Sequence, residues 1–335
     1  LGTKQFNGAL RRMFSYAKSE TALDELEVKM MSNEYSEYAL KYKRDLGLTL
    51  LGETFSRREE QFGSKLIEKI PGLAGSERAF TGFLNDLRFN RFVDILKNLD
   101  KAGKSITDNP AAMKQLAQSI GAATGRGSLG GLELAGRPLS QALFSPRWIA
   151  SRIQTIFNPL TKSGPARIEA TKALARLAGT SVAILGIYKM AGADVEMDPR
   201  SSDFGKGKIG NTRYDVTGGL GAYVTLMARL VPILWGKGAT KSTTTGLVTP
   251  LNSGDFGSKT GLDTIHDFID NKTSPMASVI RDLLKGEDFS GNRVVLTEPG
   301  KFSKYLLNQL IIPLVGSDAY SAFTDASGGV LQGLG

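Results

Sequence analysis

The chain has 335 residues, 41% of them apolar and 22% charged, the balance of a folded protein with room for one large core or two ordinary ones. It contains no cysteine, which excludes disulfides and thiolate metal sites. The net charge is +9, and its distribution is uneven: residues 101–192 hold 12 Lys/Arg against 3 Asp/Glu, while the remainder is balanced. A localised excess of this kind is the footprint of a surface that faces phosphate or acidic protein.

In chain order, residues 4–70 read as helices, with Leu23, Leu26, Met30 and Met31 at helical spacing, an apolar patch at Leu46, Leu48, Leu50 and Leu51, and an amphipathic segment from Ser56 to Ile70 that Pro71-Gly72 ends. Ser76 is expected to cap a helix running to about Leu99, along which Phe80, Phe83, Phe89 and Phe92 form a core-facing stripe. Asn109-Pro110 opens a helix to about Ile120 and Ser145-Pro146 opens another, each by a cap residue followed by proline in the first turn. Asn158-Pro159 is read as the stop of the second. Gly164-Pro165 starts the longest helix, ending at Gly192. The period then changes: residues 206–216 read as a β-hairpin turning at Gly210-Asn211. Helical signals resume at Gly221–Trp235, Leu262–Asp270, Pro275–Leu284 and Lys301–Val315, with a Gly/Ser/Thr-rich connection at residues 236–260.

The expected fold is therefore mainly α, a multi-helix array with one small hairpin, divided into an N-terminal helical segment (1–75), a basic helical module (76–192) and a hairpin plus C-terminal helices (193–335). Leu1 in place of methionine and the glycine-rich run to Gly335 suggest a piece of a longer polypeptide. No apolar run follows Arg11-Arg12, so the N-terminus has no signal-peptide pattern.

Motifs that carry chemistry are sparse. Gly125-Arg-Gly-Ser-Leu-Gly130 has dinucleotide-loop spacing, but a helix rather than a strand precedes it, and a flexible joint is the plainer reading. Gly238-Ala-Thr-Lys-Ser242 lacks the glycine a phosphate loop needs before its lysine. His266 has no nucleophile partner in the sequence and reads as a surface residue. Asp194, Glu196, Asp198 and Asp203 lack the ordered spacing of a calcium loop and read as a polar loop. The apolar stretch Leu177 to Tyr188 counts twelve uncharged residues, fewer than the roughly 20 a membrane-crossing helix needs.

Three phrases carry a resemblance: Ser76-Glu-Arg-Ala-Phe-Thr-Gly-Phe-Leu-Asn-Asp-Leu-Arg88; Thr124-Gly-Arg-Gly-Ser128 with Phe144-Ser-Pro-Arg147 and Ser151-Arg152; and Asp198-Pro-Arg-Ser-Ser-Asp-Phe-Gly-Lys206 leading into Ile209-Gly-Asn-Thr-Arg-Tyr-Asp-Val-Thr-Gly-Gly219. Together they resemble the large polyvalent-protein-associated region near the C-terminal end of giant phage and mobile-element proteins, over most of residues 45–315. The resemblance implies a bacteriophage virion protein, held in the particle interior or near the portal and ejected into the host with the genome. It supplies no catalytic residues, no cofactor and no metal, and the residues offer none, so the expectation is a non-enzymatic structural and delivery module.

Its expected partners are other virion proteins and copies of itself, with phage DNA and host membrane as alternatives. The candidate contacts for phosphate or a protein partner are Lys104, Lys114, Arg126, Arg137, Arg147, Arg152, Lys162 and Arg167. Arg147 and Arg152, five apart on a helix, point about 140° apart and are expected to serve different contacts.

Overall fold

The computed structural model describes residues 3–19, 21–50, 73–135, 139–140, 142–143, 145–210, 212–254, 258–273, 275–287, 293 and 305. It is mainly helical. Ser56–Ile70 and Lys301–Val315 lie outside the described residues, apart from Tyr305. The chain forms two compact units. The first comprises Leu1–Gly136, Pro146–Ile187 and Thr217–Tyr223; the second comprises Arg137–Ser145, Tyr188–Val216 and Val224–Gly335.

The first unit is built on α1 (Thr3–Lys18), α2 (Thr21–Met31), α3 (Ser36–Lys41), α4 (Lys43–Leu46), α5 (Leu73–Lys101), α6 (Pro110–Ala123), α7 (Pro146–Thr161) and most of α8 (Gly164–Met190). α5 is its central helix: five consecutive residues, Asn85 to Phe89, are buried, which requires neighbours on every side. Phe92 and Leu96 of α5 meet Leu46, Met113, Leu116 and Ile120 in one core cluster, all of them fully buried. Each such side chain contributes about 1.5–3 kcal/mol relative to exposure. The expected phenylalanine stripe is largely this core: Phe89 and Phe92 are buried, Phe83 packs edge-on against Phe6 of α1, and Phe80 stays exposed. α1 comes close to α5 at Gly82, where any Cβ would stand 2.5 Å from the Tyr16 ring.

A central helix that carries polar residues must satisfy them internally. Asn85 pairs with the backbone of Thr49, accepting its N–H at 3.0 Å and donating to its carbonyl at 2.6 Å. Asp86, 1% exposed, accepts from Arg12 Nε at 2.6 Å, from the Tyr16 hydroxyl at 3.0 Å and from Asn90. Burial, helped by the Asp86 charge, pushes the Tyr16 hydroxyl up to about 12. Arg91 binds Glu169 of α8 through both arms of its guanidinium, Nε to Oε1 at 2.9 Å and Nη2 to Oε2, with Glu169 almost fully buried.

Several sequence signals map directly onto helix ends, and others do not. Asn109 caps α6, its side chain accepting from Ala112 N at 3.0 Å. α5 begins at Leu73, so Ser76 lies inside it rather than at its cap. α7 begins at Pro146 as expected, but Ser145 has φ 49°, a left-handed conformation in place of the extended one of an ordinary cap. Asn158-Pro159 does not end α7, which continues through the proline to Thr161. A proline this near a C-terminus removes one amide donor from the last turns, which the helix survives.

The second unit contains the hairpin, β2 (Lys206–Ile209) and β3 (Thr212–Asp215), with Gly207 opposite Tyr214. The sequence shows one hairpin; the structure adds two things to it. Asp194–Val195 joins β2 as a third antiparallel strand, β1. The 236–260 connection also folds into its own pair, β4 (Ala239–Lys241) against β5 (Val248–Pro250). α9 (Gly221–Leu230) passes into a 3-10 turn, Val231–Trp235, and α10 (Gly261–Asp270) and α11 (Pro275–Lys285) follow. Thr260 and Asp263 form a reciprocal cap at the start of α10.

Removing Arg91 takes from the buried Glu169 carboxylate the guanidinium that holds both of its oxygens. Arg91→Met is expected to destabilise the fold by about 3–5 kcal/mol in urea unfolding, and Arg91→Met combined with Glu169→Leu to recover most of that loss. Equal losses in the single and double variants would show that the pair is not what holds α5 to α8.

Candidate functional site

Parts of the second and third of the quoted phrases, Thr124–Ser128 with Ser151-Arg152 and Gly218-Gly219, meet in the first unit. α6 ends at Ala123, and the chain turns at Thr124-Gly125-Arg126-Gly127 onto the start of α7. The approach is backbone to backbone. A Cβ at Gly127 would lie 2.3 Å from Ser151 N, and one at Gly121 would lie 2.3 Å from the Asp45 carbonyl. Gly127 N donates to the Arg147 carbonyl at 2.9 Å. Ser128 and Gln154 exchange two hydrogen bonds, at 3.1 and 2.6 Å. Thr155 closes the zip by donating to the Ala122 carbonyl at 3.3 Å. Gly121 and Gly127 are thus packing positions, which overturns the flexible-joint reading at this end of the stretch, whereas Gly130 and Gly131 have open space around them.

Two arginines on α7 turn inward and meet different neighbours, in line with their 140° separation. Arg147, 4% exposed, donates to Glu133 at 2.8 Å, and Glu133 also takes Arg44 at 2.9 Å and the Leu129 amide at 2.9 Å. Burial works against the Glu133 charge, but the Arg147 hydrogen bond, the Leu129 amide and the two arginine charges outweigh it and hold the carboxyl below its ordinary range.

Arg152, 5% exposed, stacks its guanidinium on the Trp148 indole, 3.7 Å from the ring centre. Trp148 sits between two glycines: a Cβ at Gly125 would be 2.8 Å from its ring, and one at Gly219 3.6 Å. Arg152 Nη2 lies 3.5 Å from the Gly125 position and Nη1 3.9 Å from that of Gly218. Burial lowers the affinity of Arg152 for its proton, opposed by Tyr223. A further buried arginine, Arg88 of α5, donates to Thr124 Oγ1 at 2.7 Å and Thr124 O at 3.0 Å, and also to the Gly47 carbonyl.

Of the eight candidate cations, the structure gathers Arg126, Arg147 and Arg152 around this turn, with Arg126 packed on Gly47. Lys162 donates to Gln118 at 2.8 Å; burial lowers its pKa, Asp45 opposing and Lys114 adding to the effect. Lys114 is exposed on α6, Lys104 on the loop after α5 and Arg167 on α8, so they belong to solvent-facing surface instead. Arg137 lies outside the described residues. Sequence reasoning passed over Arg88, Trp148 and Gly218-Gly219 as site members. The i, i+4 spacing of Trp148 and Arg152 on one helix was the signal available for the pair.

Other candidate chemistry is accounted for locally. Glu196 pairs with Lys241, Asp198 with Arg200, and Asp203 with Lys206 and Arg213, so three of the four clustered acids are engaged by cations. Among the described residues no group of three or more metal-ligating side chains comes together. His266 is exposed, 3.5 Å from Asp270. Comparison with protein-family models, curated proteins and solved structures finds no match.

Two expectations follow for this site. Gly127→Ala drives a methyl into the α7 backbone and should destabilise the chain by about 1–3 kcal/mol or more, read by chemical denaturation; a neutral result would mean that the turn and α7 move apart freely. Glu133 has a folded pKa below its unfolded value, so its contribution to stability is complete above about pH 4.3 and is lost as pH falls through the folded value. The stability difference between the unmodified chain and Glu133→Gln should therefore be constant at neutral pH and shrink on acidification.

Proposed function

We propose that this chain is a non-enzymatic structural and delivery module of a bacteriophage particle, packed against other virion proteins and copies of itself and carried into the host with the genome. The phage setting rests on the three phrases quoted above. Parts of two of them, Thr124–Ser128 and Ser151-Arg152 from one and Gly218-Gly219 from the other, converge on the Trp148–Arg152 stack.

The observation that carries the assembly reading is α8. Only Ala166, Glu169, Ala170, Ser181 and Leu185 of its 27 residues are buried. Val182 is 60% exposed and Met190 83%, and exposed Gly179, Ala183 and Gly186 lie on the same stripe. A long apolar face left open to water marks a surface awaiting a cover.

Length decides what kind of cover. α8 as a whole is long and apolar enough to cross a membrane, contrary to the count of twelve uncharged residues made from the sequence. Yet that window includes Arg176 and Lys189, and the uncharged part alone spans about 18 Å, short of the roughly 30 Å hydrocarbon core. A protein neighbour covers such a segment without stranding either charge, so protein contact is favoured over lipid. The nucleic-acid alternative is less well supported, because Arg147 and Arg152 are buried and out of reach of a duplex.

Val182→Asp, at an exposed position, is expected to leave the fold intact and weaken self-association or particle incorporation by roughly tenfold or more, the equivalent of one buried valine. Sedimentation of the two proteins over a concentration series measures this. A chain that stays monomeric, enters no particle and floats with liposomes would replace the reading with a membrane role.

A further inference from the structure

We propose that Arg152 and the glycines beside it form a binding site for a terminal phosphate group, either inorganic phosphate or a phosphate monoester. The inference is independent of the assembly reading, since it concerns the Trp148 face of α7 and not the open stripe of α8.

Among the described residues, the Arg152 guanidinium is an unbalanced charge. Arg152 is 5% exposed, and its Nε is buried without a hydrogen-bond partner. No carboxylate of a described residue pairs with it; the Trp148 ring, Gly125, Gly218 and Tyr223 lie near it. By contrast, Arg147 has Glu133, Arg91 has Glu169, and Arg88 donates to the Gly47 carbonyl and Thr124. A buried cation without a counter-ion is costly, and the cost is relieved by an anion that comes from outside.

The surroundings select the anion. Trp148 holds the guanidinium plane from one face and leaves its edge, where paired N–H groups fit two oxygens of one phosphate. Gly125 and Gly218, at φ 89° and 60°, stand at the two ends of that edge and present no side chain. Gly218 is exposed and Trp148 is 42% exposed, so the rim opens to solvent. The cation is too deeply set for the diester of a nucleic-acid strand, which carries a sugar on each side; a terminal phosphate can protrude into it.

Trp148 is the reporter. In the full chain with Trp235→Phe, the only tryptophan left is Trp148, and its fluorescence is followed against phosphate at constant ionic strength set by chloride. The expected result is a saturable change, also given by a nucleoside 5′-monophosphate and not by an oligonucleotide lacking terminal phosphate. Arg152→Lys should weaken binding by about tenfold, because an ammonium replaces paired donors with a point charge, and Arg152→Met should abolish it.

Should Arg152→Met fail to fold, Gly218→Asp supplies the second variant. It places a carboxylate beside Nη1 in a left-handed position that aspartate tolerates, and should abolish binding, whereas Gly218→Asn should retain it. The proposal is overturned if phosphate does no more than chloride, if Arg152→Met responds as the parent does, if Gly218→Asp binds as Gly218→Asn does, or if the oligonucleotide alone binds.

Discussion

The first unit depends on one steric constraint: at Gly127 the turn after α6 touches the backbone of α7, leaving no room for a β-carbon. Contact this close lets Gly127 N reach the Arg147 carbonyl and brings Gln154 to both backbone groups of Ser128. It also fixes the rotation of α7. With Ser151 held against Gly127, Arg147 is directed to Glu133, Trp148 to Gly125 and Gly219, and Arg152 to Gly125 and Gly218. The first two glycines of the spacing that resembles a nucleotide loop, Gly125 and Gly127, are thus explained by packing, and the inward arginines are a consequence of it.

Two buried carboxylates of this unit follow a common logic. Asp86 is surrounded by Arg12, Tyr16 and Asn90, and Glu169 by both arms of Arg91. In each case a helix-borne carboxylate is enclosed and bound by a cation from another helix, Arg91 largely buried and Arg12 reaching in from an exposed position, so docking of the helices must bring the two together. Such pairs contribute little net stability but penalise misplaced helices heavily, which favours a single arrangement of a mainly helical unit. Arg152 departs from the rule because what meets it is an aromatic face, which offsets only part of the lost hydration.

Local signals were legible in the sequence. Asn109 before Pro110, Gly164 before Pro165 and the Gly210 turn involve residues within four positions of one another, and the structure places helix starts and a hairpin there. Non-local features were not. β1 has two residues and β4 and β5 have three, too short for alternation to register, and β5 ends on Pro250, a residue that strands disfavour. The mean charge of residues 101–192 revealed an excess but not its direction. Whether an arginine faces in or out depends on partners such as Glu133 for Arg147 and Trp148 for Arg152, and only one of those lies on the same helix. The site's glycines were visible as a composition bias, while their purpose required knowing that residues near 125, 150 and 218 meet.

The order in which the chain visits the first unit has a consequence for synthesis. After Ile187 the polypeptide leaves to build part of the second unit and returns only for Thr217–Tyr223, which brings Gly219 onto Trp148 and Leu220 and Tyr223 into buried positions. A nascent chain emerging from the ribosome therefore cannot close its first unit when that unit's long helices are complete. It must wait through some thirty further residues, during which the indole of Trp148 and the guanidinium on it stay uncovered on that side. The two units are interleaved in time as well as in sequence, and a fragment cut at the end of α8 would carry nearly all of the first unit's helices while lacking the short piece that seals it.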